Sequence, residues 1–219
     1  VLPTIAPYAL PAGADLPENR VEWAHDVPRT ALLIHDMQQY FMDAFGPSSP
    51  MMDTVVGNIA RIREEATAAG VPVYYTAQPP NQNPDDRGLL TDFWGPGLQD
   101  DGRDAVVDAL APSPQDTVLT KWRYDAFVRS EFQEMLAAQG RTQLIITGVY
   151  AHIGCMTTAL SAFMRDIKPF VVADAVADFS REKHMGALEF TASRCGRVVE
   201  TSSVLGTLQD DARTTVAVR

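Results

Sequence analysis

The sequence predicts a single three-layer α/β/α domain with a mostly parallel, doubly wound sheet of six strands. Two observations carry that expectation. Short apolar runs rich in β-branched residues recur along the chain and read as strands buried on both faces. Amphipathic stretches of helical period lie between them, and strands alternating with helices indicate parallel pairing through crossover connections. The clearest unit is Gln143 to Asp166, QLIITGVYAHIGCMTTALSAFMRD, which reads as strand, turn and helix.

Taken in order, residues 1–30 hold five prolines and little periodicity, so they read as an arm packed over the domain. The domain itself spans 31–208, and 209–219 read as a frayed tail. Ala31-Leu-Leu-Ile-His35 is the first strand and delivers Asp36 to its C-terminal end. Ser49-Pro50 looks like an N-cap with proline at the first helical position. The helix behind it has Val55, Ile59, Ile62, Ala66 and Ala69 on one stripe, and Gly70 stops it. Val71 to Thr76 is the second strand. Gln78 to Leu98 is a long loop rich in Pro, Gly, Asn and Asp, the kind that serves as a functional lid or linker. A short helix is expected over Arg103 to Leu110, and a third strand over Thr117 to Thr120, ending at Lys121. Ser130 and Gln133 form a capping-box pattern for a helix ending near Gly140. Gln143 to Thr147 is the fourth strand. In the helix that follows, Met156, Leu160, Phe163 and Met164 share a stripe expected to face the sheet. Pro169 to Ala173 is the fifth strand, Ser180 caps a helix running toward Arg194, and Arg197 to Thr201 closes the sheet as the sixth.

Composition excludes several classes. At 219 residues with 46% hydrophobic content the chain can bury a full core, and no apolar run approaches the length of a membrane span. The N-terminal stretch lacks the basic flank, apolar segment and cleavage site of a secretory signal, so a soluble cytoplasmic protein is expected. Two cysteines, Cys155 and Cys195, are too few for a disulfide framework, and no His/Cys spacing suits a metal. No cofactor is called for. A formal charge of -10 and a pI near 4.8 argue against a nucleic-acid footprint. An anionic ligand would have to be drawn in by a few local cations.

Asp36, Lys121 and the Tyr150 to Cys155 turn all sit at C-terminal strand ends, where open α/β sheets bind their ligands. Each alone has a plainer reading: Asp36 as a cap or structural acceptor, Lys121 as a surface charge, His35 and His152 as structural or ligand-lining groups, Cys195 as a buried thiol. Their convergence is the argument. The turn before the helix also offers backbone amides and the positive end of the helix dipole to a carboxylate or an oxyanion.

Several motifs together resemble the isochorismatase family over residues from about 20 to 205. They are Leu33-Ile-His-Asp-Met-Gln38, Arg87-Gly-Leu-Leu with Trp94-Gly-Pro-Gly97, Thr120-Lys-Trp-Arg-Tyr124, Gly148-Val-Tyr-Ala-His-Ile-Gly154 and Ala173-Asp-Ala-Val-Ala-Asp-Phe-Ser180. The resemblance is to the branch that hydrolyses isochorismate or 2-amino-2-deoxyisochorismate, within a wider group that includes cysteine amidases built on an Asp, Lys, Cys triad. It implies Asp36 as the acid that protonates the vinyl methylene carbon, with Lys121 as its electrostatic partner. It implies Gln78, Arg87, Tyr124, Tyr150 and Gly154 as substrate-binding positions, and a homodimer. Gly154 falls where the amidase nucleophile would stand, leaving Cys155 one residue late, a rotation of about 100° on a helix. A thiol amidohydrolase using Cys155 and a non-catalytic binding protein are the alternatives. The chain resembles a stand-alone hydrolase rather than one fused to a carrier domain, serving siderophore or phenazine chemistry according to whether the ring bears hydroxyl or amine.

Overall fold

The computed structural model describes residues 2–217, with side chains to 211. Six strands form one parallel sheet in the order β3-β2-β1-β4-β5-β6. They are β1 (Thr30–His35), β2 (Val73–Ala77), β3 (Thr117–Thr120), β4 (Gln143–Val149), β5 (Lys168–Ala177) and β6 (Arg197–Val199). Each neighbouring pair is parallel, so the doubly wound α/β expectation holds. The chain winds outward from β1 to β3, then returns to lay β4 beside β1. That reversal opens a crevice outside the C-terminal ends of β1 and β4, between His35 and Val149.

Both central strands are buried along their whole length. Alternate side chains feed opposite layers. Leu32 and Ile34 of β1 pack with Ile145 and Val149 against α2 (Pro50–Ala68) and α8 (Thr201–Ala217). Ala31 and Leu33 pack with Leu144 and Ile146 against α5 (Phe132–Ala138), α6 (Met156–Phe163) and α7 (Arg181–Phe190). The remaining helices are short: α1 (Gln39–Met42), α3 (Pro84–Arg87) and α4 (Leu90–Trp94). The last two lie in the long loop after β2. The N-terminal residues pack onto the domain, with Ile5 buried and the Tyr8 hydroxyl accepting from the Asp178 amide at 2.8 Å.

Local signals held at α2 and α7. Ser49 Oγ accepts from the Met52 amide at 3.4 Å with Pro50 following, and Ser180 Oγ accepts from the Lys183 amide at 3.3 Å. Five expectations are corrected. The stripe expected on α6 holds only in part: Met156 and Leu160 are half-buried against the core, Phe163 and Met164 are exposed, and the buried side is Thr158, Ala159, Ser161 and Ala162. Small side chains let this helix lie close to the sheet. Ser130 and Gln133 do not form a capping box: Gln133 instead accepts from Arg165 Nε at 2.9 Å, and α5 starts two residues after Ser130. Only Asp108–Leu110 of the segment 103–110 is helical, a single 3₁₀ turn, because Val106 pairs with Gln38. The last strand ends at Val199. Residues 209–217 continue α8 rather than fraying, since Val204, Leu205 and Leu208 bury one helical stripe and Gln209 Nε2 donates to Glu65 of α2 at 2.8 Å. The end of the chain, 218–219, lies outside the described residues. No helix among the described residues is long and apolar enough to cross a membrane.

Candidate active site

β1 ends at His35, and the chain leaves through Asp36 in the left-handed region, φ +52°. That departure aims the carboxylate into the crevice. Thr76, paired with His35 across the β1/β2 ladder, receives the Asp36 amide at 3.1 Å and donates its hydroxyl to Oδ1 at 2.6 Å. Lys121 follows β3 directly, its amide continuing the ladder to Ala77 O, and its Nζ donates to Oδ2 of Asp36 at 2.5 Å. Both side chains are buried. Burial alone would raise the Asp36 pKa, but Lys121 first and His35 second outweigh it, and the carboxyl is held well below the usual range.

The other positions singled out in the sequence surround this pair in one pocket, with Tyr40, Phe41, Leu90, Trp94, Leu98 and Ile153 as apolar wall and Leu2 of the N-terminal arm at its edge. Arg87, at the end of α3, is buried, and its Nε donates to Gly95 O at 2.6 Å. Its Nη1 has no partner, an orphaned donor in an anion-ready position. The guanidinium lies where a side chain at residue 97 would begin, a Cβ there falling 2.3 Å from Nη1, so Gly97 is needed for the loop to close over it. Tyr124 accepts from Trp94 Nε1 at 2.7 Å, which leaves its own hydroxyl proton free to donate. Gln78 is fixed through its backbone, its N–H to Gln38 Oε1 at 2.8 Å and its carbonyl from Gln38 Nε2 at 2.9 Å.

Tyr150 and Gly154 both line the pocket, and each also has a contact within the fold. The Tyr150 hydroxyl donates to Phe41 O at 2.9 Å, so Tyr150 offers the pocket its ring rather than a polar contact. Gly154 lines the pocket, yet what forbids a side chain there is His35: a Cβ would stand 2.1 Å from Cε1 of the imidazole. The turn is also a poorer anion site than its place before a helix suggests. The His152 amide donates to Asp178 at 2.6 Å, and those of Ile153 and Cys155 to Tyr150 O at 3.1 and 3.3 Å. His152 itself is drawn aside, its Nδ1 lying 2.5 Å from Asp178 Oδ1, and is absent from the pocket wall.

Cys155 is fully buried, its Sγ facing Thr147 O at 4.0 Å in the apolar layer beneath β4. Burial, with Asp36 second, pushes its thiol well above the ordinary value. Among the described residues the pocket wall contains no Cys, Ser or Thr. Nor do three His, Cys, Asp or Glu side chains gather among them to hold a metal. His35, read as a structural or ligand-lining group, lies buried beside Asp36, whereas Thr76 and Leu2 were missed as parts of the site. Only Thr76 left a signal, as a hydroxyl at the end of a strand beside β1.

Known proteins are similar to this chain along most of its length. The family model for the isochorismatase domain matches residues 30–203. Enterobactin synthase component B of Escherichia coli (strain K12) is 57% identical over 205 residues, 93% of this chain and 72% of that protein. An isochorismatase of Bacillus subtilis (strain 168) is 53% identical over 210 residues, 95% of this chain and 67% of its own length. The phenazine biosynthesis protein PhzD of Pseudomonas fluorescens is 53% identical over 205 residues, 93% of this chain and 98% of its own.

Proposed function

The chain belongs to the isochorismatase family, and from that premise we propose that it hydrolyses the enolpyruvyl ether of isochorismate or 2-amino-2-deoxyisochorismate, with Asp36 as the acid. The observation that carries the reading is the make-up of the pocket: among the described residues its wall holds one carboxylate, two cations and no Cys, Ser or Thr.

Vinyl-ether hydrolysis needs no more than that. Protonated Asp36 delivers its proton to the vinyl methylene carbon, which becomes a methyl group and leaves an oxocarbenium ion. Water adds to the neighbouring carbon that bears the ether oxygen, and the resulting hemiketal collapses to pyruvate and the ring alcohol. The water's proton returns to Asp36. Arg87, through its orphaned Nη1, and Lys121 attract the substrate carboxylates, while Tyr124 and Gln78 offer hydrogen bonds and the Tyr150 ring flanks the bound molecule. The amidohydrolase alternative requires the Cys155 thiolate, and a thiol buried outside the pocket and biased toward protonation is poorly placed to supply it.

The product with a hydroxyl ring is a trans-dihydrodiol of siderophore chemistry, and with an amine it is trans-2,3-dihydro-3-hydroxyanthranilate of phenazine chemistry. A homodimer in the cytoplasm is the setting that the family resemblance supports. Pyruvate release from each of the two substrates, followed by lactate dehydrogenase coupling, tests the reading. Release from neither would sink it.

A further inference from the structure

We propose that His35 is a positioning residue for the acid, and that its imbedded ring is what reserves position 154 for glycine and so keeps any side chain away from that flank of Asp36. This rests on the hydrolase reading for its kinetic part and on packing alone for the rest.

His35 is fully buried at the centre of the site's framework. Two glycines of β4 and the turn after it close on His35, Gly148 against its backbone and Gly154 against its ring. Gly148 has φ +105°, and a Cβ there would fall 2.1 Å from His35 O; a Cβ on Gly154 would fall 2.1 Å from the ring. Both nitrogens are engaged. The Ala126 amide donates to Thr158 Oγ1 at 3.1 Å, which leaves the threonine proton for His35 Nε2 at 3.3 Å. Nδ1 then carries the ring proton and donates to Val149 O at 3.2 Å, with Oδ2 of Asp36 at 3.5 Å. One neutral ring thereby joins the strand end bearing the acid, the turn bearing Tyr150, and through Thr158 the loop bearing Tyr124.

A residue placed to hold the acid without touching substrate should act on kcat more than on KM. Four variants test this: His35→Ala, His35→Asn, Gly154→Ala and the His35→Ala/Gly154→Ala double, each followed by thermal melting and by pyruvate release from isochorismate. Gly154→Ala is expected to melt well below the parent, and the double variant to melt above Gly154→Ala, because the missing ring makes room for the methyl. His35→Ala is expected to lose kcat by at least about tenfold with KM within about threefold, since misplacing a reacting group is costly. Asparagine, whose Nδ2 can stand where Nδ1 stands, should recover most of that loss. Melting effects that simply add, or a folded His35→Asn no better than His35→Ala, would overturn the proposal. A parent that releases no pyruvate counts against the hydrolase reading, and the melting cycle then decides this proposal by itself.

Discussion

Lys121 Nζ lies 2.5 Å from Oδ2 of Asp36, and the pair is buried although 85 residues separate its members. The contact sets a problem for an acid, because it favours the carboxylate. At even the reference pKa of about 3.9, roughly one aspartate in 10³ is protonated at pH 7, and Asp36 is held lower still. We expect the dianionic substrate to correct this. Its carboxylates draw on Lys121 and Arg87, place negative charge near Asp36 and exclude water, all of which raise the aspartate's pKa. Because kcat reports the complex and kcat/KM the free enzyme, activity should fall at higher pH in kcat than in kcat/KM. Coincident or reversed limbs in a pH series would refute the coupling.

Asp36→Asn should keep the fold and nearly abolish turnover, since an amide cannot deliver the first proton. The loss expected for a general acid is roughly 10²- to 10⁴-fold in kcat. Thr76 can still donate to the amide oxygen, so circular dichroism should stay close to the parent, while melting falls because Lys121 is left buried without its carboxylate. A folded Asn variant that releases pyruvate at the parent rate contradicts the assignment.

Arg87→Ala removes an Nη1 that has no protein partner, felt when substrate binds, together with the Nε bond to Gly95 O, felt as a lower melting temperature of the loop that closes over it. A charged hydrogen bond to a carboxylate contributes about 1.5–3 kcal/mol, which corresponds to an increase of roughly ten- to a hundredfold in KM. Lys121→Ala should also lower kcat, because Lys121 touches the acid itself. Steady-state kinetics of both variants separate the two roles; unchanged constants in each would remove the cationic pocket.

The site was legible where chemistry sits at strand ends. Asp36 and Lys121 each follow an apolar run, and the parallel winding rule alone brings such ends together. The side that a helix buries was harder to read. At α6 Phe163 and Met164 stand outward, Met156 and Leu160 are half-buried, and Ala159 and Ala162 face inward, because helix and sheet approach closely there, and hydrophobicity does not report spacing. Helix α8 was missed although Val204, Leu205 and Leu208 carry its period; the polar residues between them masked a short stripe. The reason for Gly154 was beyond reach, because the ring that forbids its Cβ lies 119 residues earlier.

Acid should loosen the fold before it touches Asp36. Burial lowers the pKa of both His25 and His184 to about 4, whereas an unfolded histidine titrates near 6.5. The unfolded chain then binds more protons in that interval, so stability is full above about pH 6.5 and is lost as pH falls toward 4. At 1.36 kcal/mol per pKa unit each histidine contributes about 3 kcal/mol. His184 also takes the Tyr8 hydroxyl at 3.0 Å, so its protonation strips the N-terminal arm of an acceptor. Urea midpoints measured from pH 7 to 4.5 should fall in the parent and flatten in a His25→Gln/His184→Gln variant. Equal slopes in the two would rule the histidines out.

The final prediction separates an ether hydrolase from a thiol hydrolase at two neighbouring residues. Cys155 lies in the apolar layer under β4, its sulfur aimed at Thr147 O and away from the pocket, so Cys155→Ala should cost about 1 kcal/mol in stability. Turnover should stay within about threefold of the parent, because the proposed ether hydrolysis forms no covalent intermediate on sulfur. Gly154→Leu should be far more harmful, since even its first carbon meets the His35 ring and the remainder faces the substrate. Pyruvate release would be compared for the parent and both variants at a temperature below the melting point of each, since Gly154→Leu, like Gly154→Ala, is expected to melt early. A folded but dead Cys155→Ala beside an active Gly154→Leu would restore the thiol, because only a catalytic sulfur makes the buried neighbour matter more than the glycine at the pocket wall.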